Sequence, residues 1–216
     1  EKKTMSNIEK LPYEAIMLFP MPLYRTNIGR EFTKQEQDEF DIIVSEQLVH
    51  DEMYYNEYKR GEQYKKISHD KYLLNRKSFL SIRTFFEQHL KEFVTSVMGI
   101  DTAETSWSPY ITQSWINVYE SSHHNPFHLH RNSIISGVFY INCLELPGNK
   151  TDGRLFEGNI HQMYYEIDLP IAQDTMFSDK PYFIPVVAGD LVLFPSTTMH
   201  SVNLNETSDQ TRKSFA

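Results

Sequence analysis

The stretch NPFHLHRNSIISGVFYIN, residues 125–142, decides how this sequence is interpreted. It places His128 and His130 two residues apart and follows them with a largely apolar run, IISGVFYI, at 134–141. In an extended chain, side chains two residues apart point to the same face. The two imidazoles are therefore predicted to reach one metal ion from the edge of a buried strand.

A third metal ligand has to come from another part of the chain, and His200 is the best candidate. It ends VVAGDLVLFPSTTMH, residues 186–200, which has the pattern of a Gly-Asp turn, a buried strand, a short loop and the start of the next strand. Such a position is where a barrel presents side chains at its mouth. His123 and His124 lie nearby, in a polar stretch that indicates a loop. We predict a metal site formed by His128, His130 and His200.

The stretch TRKSF, residues 211–215, supplies a candidate carboxylate-binding pair. Arg212 and Ser214 share a face if this stretch is a strand, and a guanidinium with a hydroxyl is well suited to hold a carboxylate. A hairpin that turns near 205–207 would bring Arg212 roughly opposite His200. The alternative is that Arg212 is an ordinary surface residue of a strand.

The remaining sequence predicts helices first and short strands afterwards. Thr33 and Glu36 have the spacing of a capping box, and Gly99 stops a second helix predicted over 77–98. The first helix is predicted to bury Phe40, Ile43, Val44 and Leu48, and the second Phe79, Ile82, Phe86, Leu90, Phe93, Val94 and Val97. Strands are predicted at 113–120, 134–141, 160–167, 182–187, 190–195 and 200–204.

This order of elements predicts an α+β fold that is mainly β. We expect a double-stranded β-helix, of the jelly-roll or cupin-like kind, supported by N-terminal helices. A single domain, 1–216, is predicted, with helical support and a lead-in strand at LFPMPLY (18–24) inside 1–105 and the barrel core at 106–216.

Composition excludes several classes of function. The net charge of −8 disfavours general binding to nucleic acid, and the basic stretch at 58–66 is interpreted as a solvated loop. No apolar run approaches the roughly 20 residues of a membrane helix. Cys143 is the only cysteine, which excludes an internal disulfide and is compatible with a reducing compartment. We therefore expect a cytoplasmic protein.

These residues together resemble the Fe(II)- and 2-oxoglutarate-dependent oxygenases. The resemblance is closest to the prolyl-hydroxylase-like branch, in which a bacterial and phage group has the pattern His-x-His-x-Asn-Ser…Ser-Gly-Val-(aromatic)-Tyr; here it reads HLHRNSIISGVFY, 128–140. It covers roughly 110–216 together with the lead-in stretch. It implies that the three histidines bind Fe(II), that molecular oxygen is consumed, and that a C–H bond of a peptide or small molecule is hydroxylated. It also implies that Arg212, Ser214 and Tyr140 hold the far carboxylate of 2-oxoglutarate and that Tyr119 contacts its near end.

One position departs from the family pattern, because the usual second ligand is Asp or Glu and here it is His130. Three imidazoles favour Zn, Ni or Cu over Fe(II) more strongly than two imidazoles and a carboxylate do. Asp152, Glu157 or Asp190 are alternative ligands, although their spacing supports them poorly. The rival interpretations are a cupin-like metal protein without 2-oxoglutarate and a catalytically silent binding module.

Two further stretches keep two interpretations each. The connection at 157–182 is either a lid over the substrate or a hairpin that completes the sheet. Trp115 and Asn117 share a face with Tyr119 and either line the pocket or, as we favour for Trp115, pack in the core.

Overall fold

A computed structural model describes residues 21–50, 65–104, 106–146, 152–156 and 182–216. The N-terminal half contributes β1 (Tyr24–Asn27), α1 (Lys34–Glu46), β2 (Leu48–His50), β3 (Lys66–Ser68), two 3₁₀ turns (Leu73–Asn75 and Lys77–Phe79), α2 (Leu80–Glu92) and a π-helical turn (Phe93–Val97). The C-terminal half contributes β4 (Ile116–Tyr119), β5 (Asn125–His128), β6 (Ile135–Tyr140), β7 (Gly153–Phe156), β8 (Tyr182–Pro185), β9 (Asp190–Pro195), β10 (His200–Val202) and β11 (Arg212–Phe215).

The described strands form two antiparallel sheets. The large sheet has the order β1-β9-β6-β11-β4-β3-β2, and the small sheet has the order β5-β10-β7-β8. Strands β4 to β11 thus divide equally between the sheets, which is the arrangement of a jelly roll. The predicted double-stranded β-helix is confirmed, and β1, β2 and β3 widen its large sheet at the edges.

The helices cover the outer face of the large sheet. The capping box of α1 is confirmed, because the Thr33 hydroxyl accepts from the Glu36 amide at 3.2 Å and the Glu36 carboxylate accepts from the Thr33 amide at 2.8 Å. Two of the residues predicted to lie on the buried face of a helix do not lie there. Leu48 lies in β2, because α1 ends at Glu46, and Val97 is 45% exposed.

The buried cluster between the helices and the outer face combines phenylalanines with aliphatic side chains. Phe79 packs edge-on against Phe215 with ring centroids 5.2 Å apart, and Phe86 packs against Phe139 at 5.0 Å. A second cluster lies on the opposite, inner face of the large sheet and includes Tyr140. Neighbouring residues of one strand therefore belong to different layers, as the pleat requires.

Three details of the chain path differ from expectation. The hairpin predicted near 205–207 is wrong, because β10 belongs to the small sheet and β11 to the large one. Of the lead-in strand predicted at 18–24, residues 18–20 lie outside the described part and 21–23 are not in a strand; β1 begins at Tyr24 and pairs with β9 at the edge of the sheet. The predicted strand 160–167 lies outside the described residues, and the division of the chain at residue 105 stays a prediction.

Candidate metal and cosubstrate site

Three imidazoles converge at one end of the small sheet. His128 ends β5 and His200 begins β10, and the two lie directly opposite each other in the register of these strands. His130 follows two residues after His128, and one nitrogen of each of the three rings lies within 4.8 Å of the others. The structure thus brings together the three predicted metal ligands, of which His200 is fully buried.

Backbone carbonyls fix the orientation of two of these rings. His128 Nδ1 lies 2.8 Å from the Pro126 carbonyl oxygen, and His200 Nδ1 lies 2.9 Å from that of Thr198. A carbonyl oxygen only accepts, so each Nδ1 carries the proton and each neutral ring keeps a lone pair on Nε2. Metal-binding histidines usually donate the N–H of their other ring nitrogen in a hydrogen bond of this kind. The Asn125 amide, which donates to His128 Nε2 at 3.3 Å, agrees with that assignment.

Ser196 holds the loop that carries His130. Its carbonyl oxygen accepts from the His130 amide at 2.9 Å, and its own amide donates to the Ile134 carbonyl at 3.0 Å. Its hydroxyl lies 2.8 Å from the hydroxyls of both Ser133 and Ser136. The third imidazole is therefore positioned mainly through the backbone, which no motif in the sequence indicated.

No carboxylate joins the three imidazoles within the described part of the chain. Asp152 instead binds Arg212, and Asp190 accepts from Arg25 and from the Val187 amide. Asp152 and Asp190 as alternative ligands are therefore wrong. Glu157 lies outside the described residues.

The four residues predicted to bind 2-oxoglutarate line the space between the two sheets. Arg212 is paired in register with Tyr119, and Ser214 with Tyr140. The Arg212 guanidinium carbon lies 5.6 Å from the centroid of the Tyr119 ring. The Ser214 hydroxyl is buried and has no hydrogen-bond partner among the residues that the structure describes. Buried hydroxyls are nearly always paired, so this one indicates a missing partner.

Arg212 already holds a carboxylate that belongs to the protein. Its Nε donates to Asp152 Oδ2 at 2.8 Å, its Nη2 donates to Asp152 Oδ1, and both side chains are only 2% exposed. The Leu144 and Gly153 amides also donate to this carboxylate, at 3.0 and 2.9 Å. The sequence gives no sign of this contact, because 60 residues separate the two partners.

Trp115 lies at an open cavity rather than in the core clusters. The cavity has a volume of about 330 Å³ and is walled by apolar and aromatic side chains, with His130 in its lining. The Trp115 indole donates to Asn117 Oδ1 at 3.1 Å. Trp115 is half-buried, so the favoured interpretation of a core residue is wrong.

Comparison with known proteins agrees with this architecture. Residues 113–216 match the model of a family described as "Putative 2OG-Fe(II) oxygenase". None of the curated proteins matches the chain in sequence.

Several solved structures share the fold at low sequence identity. A prolyl-4-hydroxylase from Pseudomonas putida aligns with a TM-score of 0.54 at 13% identity, covering 89% of both chains. A prolyl hydroxylase from Trichoplax adhaerens, solved with a hypoxia inducible factor peptide fragment, aligns at 0.54 and 12% identity over 89% of this chain and 80% of its own. The epimerase SnoN from nogalamycin biosynthesis aligns at 0.57 and 14% identity over 89% and 74%.

The described helices contain none that combines the length and the apolar character needed to cross a bilayer.

Proposed function

We propose residue roles from the premise that residues 113–216 belong to the Fe(II)- and 2-oxoglutarate-dependent oxygenases. The protein is accordingly a dioxygenase that uses Fe(II), 2-oxoglutarate and molecular oxygen. In our proposal His128, His130 and His200 hold the metal, and Arg212 holds the cosubstrate. The observation that carries this assignment is the convergence of three imidazole nitrogens within 4.8 Å.

The chemistry of the donors fits a metal ion. The Nδ1 protons of His128 and His200 are donated to carbonyl oxygens, so Nε2 is the nitrogen of each ring that would bind a cation; at His128 the cation would replace the hydrogen bond from the Asn125 amide. His130 adds a third imidazole, and three protein ligands leave open positions for small molecules. When bound, Fe(II) and 2-oxoglutarate supply the activation of oxygen that accompanies loss of carbon dioxide from the cosubstrate.

The interior between the sheets fits one end of a dicarboxylate. Arg212 offers N–H donors beside those that Asp152 already engages, the Ser214 hydroxyl lacks a partner among the described residues, and the Tyr140 ring lies on the neighbouring strand. Tyr119 stacks beside the guanidinium and is proposed to contact the near end of the cosubstrate. The role of these residues is to orient the diacid and to exclude water from it.

The proposed substrate is a peptide or a small molecule with a C–H bond to be hydroxylated. The cavity of about 330 Å³ has His130 in its lining, and we place the substrate at that end of it, because much of the remaining apolar wall, including Phe86 and Phe215, belongs to the outer face of the large sheet. The negative net charge of −8 disfavours nucleic acid as the substrate. We propose that the enzyme acts in the cytoplasm, with which its single cysteine is compatible.

An anaerobic titration tests the assignment. Fe(II) and then 2-oxoglutarate are added, and we expect the weak visible charge-transfer band of a chelated 2-oxoglutarate, with loss of the band in Arg212→Ala and His200→Ala. Arg25→Ala is the matched control, since Arg25 also binds a buried aspartate, Asp190, but lies at the edge of the large sheet. A band that survives unchanged in Arg212→Ala would show that the cosubstrate is held elsewhere, and the absence of a band in the wild type would favour the cupin-like metal protein without 2-oxoglutarate.

A further inference from the structure

The ion pair between Arg212 and Asp152 connects the two sheets. Arg212 begins β11 in the large sheet, and Asp152 directly precedes β7 in the small sheet. Asp152 accepts from two groups of the guanidinium and from two backbone amides, so its carboxylate is fixed from both sides. A carboxylate held in this way is part of the resting structure of the site.

The guanidinium is only partly engaged by these contacts. A guanidinium has five N–H donors. Among the described residues Asp152 takes two of them, and the Asn203 carbonyl oxygen accepts a third, from Nη1 at 3.2 Å. A second carboxylate can therefore approach Arg212 at the two remaining N–H groups, but it meets a guanidinium whose charge is already neutralised.

The electrostatic consequence follows from counting charges in a space that excludes water. Arg212 and Asp152 sum to zero, and both are 2% exposed. A bound carboxylate brings the group to −1, and like charges that share a buried site repel each other strongly. Whether the ligand displaces Asp152 or joins it, it has to work against this carboxylate.

We infer that Asp152 determines the affinity for the cosubstrate by acting as an internal competitor for Arg212. This inference rests on the proposed function, because it takes Arg212 as the residue that binds the far carboxylate of 2-oxoglutarate. The Ser214 hydroxyl, two residues further along the same face of β11, is available to contact that carboxylate. When no cosubstrate is bound, Asp152 keeps the buried guanidinium paired. Because its carboxylate repels the incoming one, it also weakens the binding of 2-oxoglutarate.

The test is a comparison of 2-oxoglutarate binding in variants of the full chain. Calorimetric titrations are made without oxygen and with Mn(II) in place of Fe(II). Asp152→Asn keeps the shape of the side chain and removes its charge. Charges in direct contact shift equilibria by about 1–3 logarithmic units, so we expect at least tenfold tighter binding of 2-oxoglutarate. Asp190→Asn, which neutralises another buried aspartate paired with an arginine, is the matched control and should leave the affinity unchanged.

Thermal melting provides a second measurement that a simple folding defect does not imitate. Without 2-oxoglutarate, Asp152→Asn should melt below the wild type, because it leaves a buried guanidinium without its counter-charge. With saturating 2-oxoglutarate, its melting temperature should rise by more than that of the wild type. If Asp152→Asn does not fold, Asp152→Ser is used with the same expectation.

The outcomes separate the two proposals. Unchanged or weaker binding in Asp152→Asn, with normal binding in the wild type and none in Arg212→Ala, would overturn the competitor role and leave the proposed function intact. Binding that does not depend on Arg212 would overturn both. Tighter binding, together with the larger thermal rise, would support the inference.

Discussion

The outer and inner faces of the large sheet are both buried, but the outer face is largely apolar, whereas the inner face combines an apolar cluster with polar side chains such as Ser214 and Arg212. On β11, Phe215 points outward into an aromatic cluster, and its neighbour Ser214 points inward with a hydroxyl that lacks a partner among the described residues. On β6, Phe139 packs against Phe86 on the outer side, and Tyr140 faces the interior between the sheets. The comparison teaches that burial alone does not separate the residues that hold a fold together from those that serve a ligand.

Buried polar groups make the difference between the faces. The outer face contributes apolar area, which stabilises the fold wherever it is buried. The inner face contributes hydroxyls and charges, whose burial costs free energy unless each finds a partner. A polar side chain whose burial costs free energy in the ligand-free protein is therefore expected to find its partner in a ligand. The following predictions are ordered from the largest effect to the smallest.

Truncation on the outer face should have the largest effect on stability. Phe215→Ala removes a fully buried ring that packs at 5.2 Å against Phe79, and such changes cost about 3–5 kcal/mol of unfolding free energy. Chemical denaturation measures it. Metal affinity of the folded protein should change little, and a loss of metal binding without a loss of stability would contradict the division between the faces.

Removal of one imidazole should have the converse effect. His200→Ala is expected to weaken binding of Co(II), measured through its visible absorption, by at least about a hundredfold, because two ligands rarely retain a metal at a three-ligand site. Its stability without metal should fall by about 1–3 kcal/mol, less than that of Phe215→Ala, because the Thr198 carbonyl loses its hydrogen bond from the buried ring. His89→Ala, in α2, is the control for the loss of a histidine elsewhere. Equal Co(II) binding in the wild type and His200→Ala would refute the site.

Ser214→Ala, which removes one hydroxyl, should lower the affinity for the ligand without lowering the stability of the fold. The hydroxyl has no partner among the described residues, so its removal is expected to leave the unfolding free energy unchanged or slightly higher. Affinity for 2-oxoglutarate should fall about 5- to 10-fold, the equivalent of one hydrogen bond. Ser45→Ala, at an exposed position of α1, serves as the control. A clear loss of stability in Ser214→Ala would show that the hydroxyl has a structural role.

The smallest effect concerns a carboxylate in the helical layer, which is fully paired. Burial by itself would raise the pKa of Glu36, but hydrogen bonds from Arg30 and from Thr33 bring that pKa below its ordinary value of 4.5. Because the folded pKa is the lower one, Glu36 stabilises the fold above about pH 4.5, and this contribution is lost as the pH falls through the folded pKa.

The measurement is the unfolding free energy of the wild type and Glu36→Gln between pH 3 and pH 7. The wild type should be more stable by about 1 kcal/mol near neutral pH, the typical contribution of a helix cap, and the difference should shrink in acid. A difference that stays constant over this range would contradict the role of the charge.

Local patterns in the sequence predicted the elements that local chemistry controls. The capping box at Thr33 depends on residues three apart, and the spacing of His128 and His130 defines a face of an extended chain. Leu48 escaped prediction because its apolar spacing continues the helical period past the real end of α1, where the chain turns into a strand.

Features that depend on how the chain passes from one sheet to the other could not be predicted from the sequence. The expected hairpin before Arg212 fails because β10 and β11 belong to different sheets, and no turn signal distinguishes a crossing from a reversal. Asp152 meets Arg212 across 60 residues, and an aspartate before a glycine resembles any loop residue. The sequence therefore predicted correctly that His128, His130 and His200 are neighbours, but it could not reveal which carboxylate already accompanies the arginine.

Strand β11 follows all the other described strands in the chain, yet it lies between β6 and β4 in the middle of the large sheet. A nascent polypeptide emerging from the ribosome would already contain all three imidazoles while this central slot was still empty. Until β11 is in place, Asp152 lacks its partner Arg212. Strands β4 and β6, which both pair with β11, are then not yet joined in the large sheet. During biosynthesis, the residues proposed to bind the dicarboxylate should therefore be completed last, when β11 inserts between β6 and β4.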